Sequence, residues 1–399
     1  DWLLGGQGVD TLVGGLGTDT ADFSDATTDG VTVVLNADAQ GTAVARGSGS
    51  NGSDLLYSIE RVVGTNFVDS ITADANANWL DGGLGADSLI AGAGDDTLIF
   101  DALDTSVDGE AGNDTLVVRD ATLNLEGRSG TSLKNIEVID LRASQGTSLT
   151  VSAANALALS STNHDVTVLA EANDVIDLVG TWTLATNPTT GDAAHKWTAA
   201  SSTSITVSAE ATVRLSGTSG NDTVTGSASA DVIIGQAGND TLLGNGGNDT
   251  LIADAGADSL DGGAGVDTAD FSAIAGPLTV TMTGANGTAS STASGSDTLT
   301  AIERIIATSG ADTLTGDSAD DWFDAGAGND SLVGGDGADT LFAGDGNDNL
   351  SGGVGDDVID GGLGNDTLVG GTGADALMAQ AGDDILLFDA NDELIDGGA

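Results

Sequence analysis

An aspartate recurs every nine residues through much of this chain, and that spacing points to a repeated task for a carboxylate. From residue 307 ten units follow without a slip, among them AGAGNDSLV, GGDGADTLF and GGLGNDTLV. The sixth place holds Asp312, Asp321, Asp330, Asp339, Asp348, Asp357, Asp366, Asp375 and Asp384, with Glu393 in the last unit. The same register places Asp222, Asp231, Asp240, Asp249, Asp258 and Asp267 in residues 217–270. It places Asp69, Asp87, Asp96 and Asp114 in residues 64–117, where Asn78 and Thr105 fill the other two places, and Asp10 and Asp19 in residues 5–22. Carboxylate pairs can do acid–base work, but a strict repeat suits cation ligation far better.

The residues around each aspartate fit that chemistry. Places 1, 2 and 4 are rich in glycine, which turns the chain tightly through positive φ and lets successive carbonyls face one spot. Such turns include Gly235, Gly238, Gly244, Gly247, Gly334, Gly335, Gly337, Gly352, Gly353, Gly355, Gly361, Gly362, Gly364, Gly370, Gly371 and Gly373. Carbonyls combined with carboxylates suit calcium, which takes about six to eight oxygens in flexible geometry; magnesium demands a tighter octahedron. The eighth place is large and apolar throughout the last array, from Leu314 and Phe323 to Leu386 and Ile395.

This pattern resembles the RTX (repeats-in-toxin) family, whose unit reads G-G-x-G-x-D-x-U-x, with U a large apolar residue. The resemblance covers 24 units, a little over half of the chain. It implies an all-β fold, a parallel β-roll or β-solenoid loaded with multiple calcium ions, and type I secretion to the cell exterior.

The elements that must position these carboxylates follow from the unit. The residues after each aspartate form a short strand, of which one side chain points inward. Two units make an 18-residue coil, so Asp312, Asp330, Asp348, Asp366 and Asp384 stack on one edge and Asp321, Asp339, Asp357 and Asp375 on the other. Coils lie about 4.8 Å apart, closer than the Debye length of about 8 Å at physiological salt. Each stacked pair of charges costs roughly 0.9 kcal/mol even at the dielectric of water. Cations between the turns remove that repulsion, so calcium binding and folding are expected to be coupled. Acidic disorder conflicts with the unbroken apolar eighth place, and a metal-free solenoid conflicts with the stacked charge. Asn78, Thr105 and Glu393 are expected to mark weak or empty sites.

The sequence divides into roll segments at 1–22, 64–117, 217–270 and 307–399, β-rich inserts at 23–63 and 271–306, and a different module at 118–216. The inserts are related. Both follow D-T-A-D-F-S, ending at Ser24 and Ser272, and both return through Ile-Glu-Arg at Glu60-Arg61 and Glu303-Arg304. Alternating runs at 31–35 and 278–282 predict strands. The Glu-Arg pairs read as a clamp where the chain rejoins the roll, or as a recognition site. Module 118–216 holds six of the nine basic residues and ten acidic ones, and lacks the aspartate repeat. Runs at 137–141, 148–151, 165–169, 175–178, 204–207 and 212–215 predict a β-rich solenoid or sandwich, with helix near 152–159. Trp182 and Trp197, near Pro188 and His195, are expected in a loop, as packing residues or as a contact surface.

Composition narrows the function. With 62 acidic and 9 basic residues in 399, the net charge is −53, which repels nucleic acid and anionic membranes. No apolar run is long enough to span a bilayer, and the absence of cysteine excludes disulfides and thiolate chemistry. His164 and His195 stand outside any H-E-x-x-H zinc pattern and read as surface or loop residues; no nucleophile elbow, P-loop or dinucleotide fingerprint occurs. The chain therefore reads as a non-enzymatic extracellular structural protein, such as a surface layer, adhesin or matrix filament. Its expected partners are other copies of itself, or cell-surface glycan or lipopolysaccharide bridged by calcium. The alternative is the calcium-binding secretion and folding region of a larger RTX enzyme or toxin. The sequence begins at a sixth place and stops at a third, so the roll is expected to continue, either in a longer chain or by head-to-tail stacking.

Overall fold

The computed structural model describes all residues except 7–8, 27–28, 37–40, 46–52, 127–131, 145, 161–164, 172, 181, 185–194, 200–203, 208–211, 227, 229, 393 and 399. His164, Pro188 and Glu393 thus lie outside the described residues. The chain folds as two compact units, residues 1–178 with 184–212, and residues 179–183 with 213–399.

The second unit shows the architecture most plainly. A strand of three to six residues follows each glycine-rich turn, and strands pair in parallel with those 18 residues away. One sheet runs Thr313↔Ser331↔Asn349↔Thr367↔Ile385. The other runs Trp322↔Thr340↔Val358↔Ala376↔Leu394. The 18-residue coil and the parallel β-roll expected from the sequence are therefore both present. Only the middle residue of each strand faces inward, because side chains alternate. Leu332, Leu341, Leu350, Ile359, Leu368 and Leu377 are fully buried. Burial fades at the last coil, where the inward Leu386 is half-buried and Ile395 is exposed.

Each insert proves to be an enlarged half-coil. Where a regular coil places one strand, the second unit places three: Leu278–Met282, Asn286–Ser291 and Gly295–Thr300, paired antiparallel. Their outer members pair in parallel with Thr313–Thr315 and Ser259–Asp261, so the meander sits inside the roll's own sheet. The opposite sheet passes directly from Thr268–Asp270 to Arg304–Ile306. Val280, Ala289 and Leu299 take over the inward apolar row. The first unit repeats this device with Val31–Val34, Gly41–Ala45 and Ser53–Tyr57.

The segment after residue 117 continues the first unit's solenoid without the nine-residue turn. Thr115–Val118 pairs in parallel with Val138–Asp140, which pairs with Asp165–Leu169 and then Ser204–Val207. Its one helix, Ala153–Leu159, starts at a Ser152 cap whose hydroxyl accepts the Asn155 amide, and buries Ala156 and Leu159. The tryptophans do not lie in the loop expected for them. Trp182 lies on the strand Trp182–Leu184 and Trp197 on the strand His195–Ala199, and both are buried. His195 begins that strand, opposite Val207. The sparse apolar alternation around these residues hid two strands whose burial comes from large aromatic side chains.

The inward row carries the core, so Leu341→Ala is expected to cost about 2–5 kcal/mol. Val333→Ala, on a strand's outer face, is expected to stay within about 0.5 kcal/mol. Denaturant unfolding in saturating calcium measures both; equal costs would contradict this core.

Candidate calcium sites

The sixth-place aspartates form hydrogen-bonded rows along the roll. Each backbone amide donates to Oδ1 of the aspartate one coil later. Asp312 donates to Asp330 at 2.7 Å, Asp330 to Asp348 at 2.7 Å, Asp348 to Asp366 at 2.9 Å and Asp366 to Asp384 at 2.8 Å. The other edge runs from Asp321 through Asp339 and Asp357 to Asp375 at 2.8–3.0 Å. Equivalent bonds join Asp222, Asp240 and Asp258, then Asp231, Asp249 and Asp267, then Asp69 to Asp87, and Asp96 to Asp114. One carboxylate oxygen is thereby committed to holding coil to coil.

The second oxygen separates the aspartates into two kinds. In Asp10, Asp19, Asp87, Asp96, Asp114, Asp240, Asp249, Asp267, Asp330, Asp339, Asp348, Asp357, Asp366, Asp375 and Asp384, Oδ2 is buried and has no hydrogen-bond partner. In Asp69, Asp222, Asp312 and Asp321, the amide of the second-place residue donates to the carboxylate, and the Asp254 amide faces Asp258. Asp231 shares the amide row and makes a further interaction.

The backbone of the second place decides between them. Each of these nonapeptide turns has positive φ there, at Gly6, Gly15, Gly83, Gly92, Glu110, Gln236, Asn245, Gly263, Gly326, Gly335, Gly344, Gly353, Gly362, Gly371 or Gln380. Thr65, Thr218, Asp254, Thr308 and Asp317, which close the other five turns, are absent from the positive-φ residues. Positive φ turns the amide away from the aspartate and leaves the oxygen open. Glycine has a separate role at the fourth place: a Cβ at Gly346 would lie 1.5 Å from the Gly328 carbonyl oxygen and 2.8 Å from Asp348 Oδ1.

A buried carboxylate oxygen without a partner is costly, and a cation is its natural complement. Among the described residues no three Asp, Glu, His or Cys side chains converge as a metal site. Backbone oxygens must therefore supply much of the coordination, which suits calcium rather than zinc.

A family comparison agrees with this donor set. The RTX calcium-binding nonapeptide repeat matches residues 1–21, 63–98, 216–269, 297–332 and 333–399, more than half of the chain. The chain belongs to the RTX calcium-binding nonapeptide repeat family. Its repeats bind multiple calcium ions. No curated protein matches the chain.

The RTX rows also recruit carboxylates that the nine-residue register missed. Asp10 and Asp258 donate their amides to Asp54 and Asp297 on the inserts, each at 2.8 Å. The signal was the D-x-U of Asp54-Leu-Leu56 and Asp297-Thr-Leu299, displaced by the insert. Glu60, Glu303 and Glu137 accept the amides of Asp19, Asp267 and Asp114 at 2.8–3.0 Å. The Ile-Glu-Arg re-entry is thus a hydrogen-bond clamp in which the longer glutamate reaches the same amide. Its arginines stack instead, Arg61 at 4.3 Å from the Trp79 ring centre and Arg304 at 5.2 Å from that of Trp322.

At two of the three departures another carboxylate keeps the row. At Thr105 it stands one residue earlier: Asp104 faces the Asp87 amide and accepts that of Asp101 at 3.0 Å. In the Glu393 unit, Asp392 takes the same role, accepting from Asp375 at 3.3 Å and Asp389 at 2.7 Å. Both units begin Phe-Asp-Ala and close a shorter turn. Asn78 keeps the row, donating to Asp96 at 2.6 Å, but contributes no carboxylate. A second, exposed row also went unread: fifth-place amides donate backward, as from Asn365 to Asn347 at 2.9 Å and Asn347 to Asn329 at 2.8 Å.

Burial, followed by neighbouring carboxylates, pushes Asp330 up to about 7 and Asp339, Asp348 and Asp357 up to about 6 from 3.8. Without calcium, these groups hold protons in the fold that the unfolded chain releases. Their contribution to stability is present below about pH 4 and is lost as pH rises through 6–7. Calcium-free protein is therefore expected to gain β circular dichroism on acidification from pH 7.5 to 4.5, while apparent calcium affinity falls. Loss of β signal over that interval would contradict it.

Proposed function

We propose that this chain is an extracellular structural element, of the kind found in a surface layer, an adhesin or a matrix filament, that folds and stiffens on binding calcium. The observation that carries the reading is the row of buried, unpartnered Oδ2 atoms. The fold stacks these charges at coil spacing and leaves them open to a cation. Extracellular calcium modules operate at dissociation constants of about 10⁻⁴–10⁻³ M, so a roll of this kind stays unfolded at low calcium and folds on export.

The continuity of the rows supports a mechanical role. Asp54, Glu60, Asp297 and Glu303 carry the coil-to-coil bond across both enlarged half-coils, so the inserts do not interrupt the stiff element. The exposed fifth-place row supplies further oxygens on the same edges. We infer that it can share calcium with a second copy or an anionic surface glycan. Among the described residues, no helix is long and apolar enough to cross a membrane.

Removing calcium by exhaustive chelation at pH 7.5 is expected to abolish most β circular dichroism, and millimolar calcium to restore it. An unchanged spectrum on chelation would overturn the coupling. Atomic force extension then tests the structural role, with unfolding force expected to rise with calcium. Force independent of calcium would sink that part of the reading.

A further inference from the structure

We propose that the turn opening each of the three arrays at 64–117, 217–270 and 307–399 binds no calcium and is closed by the protein itself, through Thr65, Thr218 and Thr308. The inference rests on the reading that an open sixth-place oxygen is a calcium ligand.

The three turns share one construction. The threonine amide donates to the aspartate four residues on, at 2.7 Å for Asp69, 2.6 Å for Asp222 and 2.9 Å for Asp312. The threonine hydroxyl lies within 2.8–3.1 Å of the same carboxylates. That hydroxyl is itself oriented, because it accepts the amide two residues further on, from Phe67, Gly220 or Gly310. Two of the three carboxylates receive another strand as well: Val31 donates to Asp69 and Leu278 to Asp312. Asp312 then accepts a backbone amide on each oxygen, from Leu278 and from Thr308, so neither oxygen is left without a partner.

Position explains why closure is needed there. The strand before Thr313–Thr315 in its sheet is Leu278–Met282, and the strand before Ser70–Thr72 is Val31–Val34. Both are meander strands, with no nonapeptide turn on that side; at the Thr308 turn the Gly276 carbonyl instead meets the Thr308 hydroxyl at 2.8 Å. Thr223–Thr225 stands first in its sheet among the described residues. A cation at these turns would lack the carbonyls of a preceding nonapeptide turn. Threonine supplies two donors in place of the missing half, and its negative-φ backbone aims the amide inward where glycine aims it away. Asp317 closes a further turn by the amide alone, and the Asp254 amide faces Asp258 in the same way. The residue at the second place thus determines which carboxylates bind calcium, and the aspartate count overstates the ion count.

The test compares Asp312→Asn with Asp330→Asn, counting bound calcium per chain by elemental analysis after equilibration in saturating calcium. Asp330→Asn is expected to lower the count and Asp312→Asn to leave it at the wild-type value. A fall in Asp312→Asn alongside Asp330→Asn would overturn the protein-closed turn and leave the ligand reading intact. An unchanged count in Asp330→Asn would overturn the ligand reading, and this inference with it. Should Asp312→Asn fail to fold, Thr308→Val carries the test. It is expected to keep the wild-type calcium count while speeding hydrogen exchange at the Leu278 and Thr308 amides about tenfold, the factor that one ordinary hydrogen bond supplies. A changed count, or unchanged exchange, would overturn the proposal.

Discussion

The hydrogen bond from one aspartate's amide to the carboxylate one coil later is the constraint on which the rest of this structure depends. It fixes the coil at 18 residues, since that is the spacing at which sixth places meet. It draws every carboxylate of a row under its neighbours, where water cannot solvate it. It also occupies one oxygen and leaves the other over the turn. The same bond that aligns the coils therefore creates the unsatisfied charge that calcium neutralises, so assembly of the roll and demand for the ion cannot be separated.

The irregular parts of the chain make sense as ways of preserving that bond. A three-stranded meander displaces the next nonapeptide turn, yet Asp297 meets the Asp258 amide as an ordinary sixth-place aspartate would. Where the returning chain arrives differently, glutamate replaces aspartate and its extra methylene spans the gap, as Glu303 does for Asp267. Where the turn is shorter, the carboxylate moves back by one residue, as at Asp104 and Asp392. Spacing, side-chain length and turn length all vary, while the acceptor stays in place.

Much of this was legible in the residues. The nine-residue period gave the coil, the two carboxylate edges and the inward apolar row, because each is a direct consequence of a repeat with one inward side chain. Most strands of the segment after residue 117 showed in their apolar alternation, though not Trp182–Leu184 or His195–Ala199, and its helix in Ala153–Leu159. The period could not reveal carboxylates that keep the row by breaking it, such as Asp54 or Glu60. It also treated all aspartates alike. Asp312 and Asp330 occupy the same place in the repeat, but one faces a threonine amide and the other an open turn. That difference lies in the φ angle four residues upstream, and Thr308 against Gly326 was its only trace in sequence.

Anomalous diffraction from crystals grown in calcium tests the central claim most directly. The account predicts ions in two rows, each beside the open Oδ2 atoms of Asp330, Asp348 and Asp366 or of Asp339, Asp357 and Asp375. Density confined to the exposed fifth-place residues, or absent beside these oxygens in calcium-saturated folded protein, would contradict it.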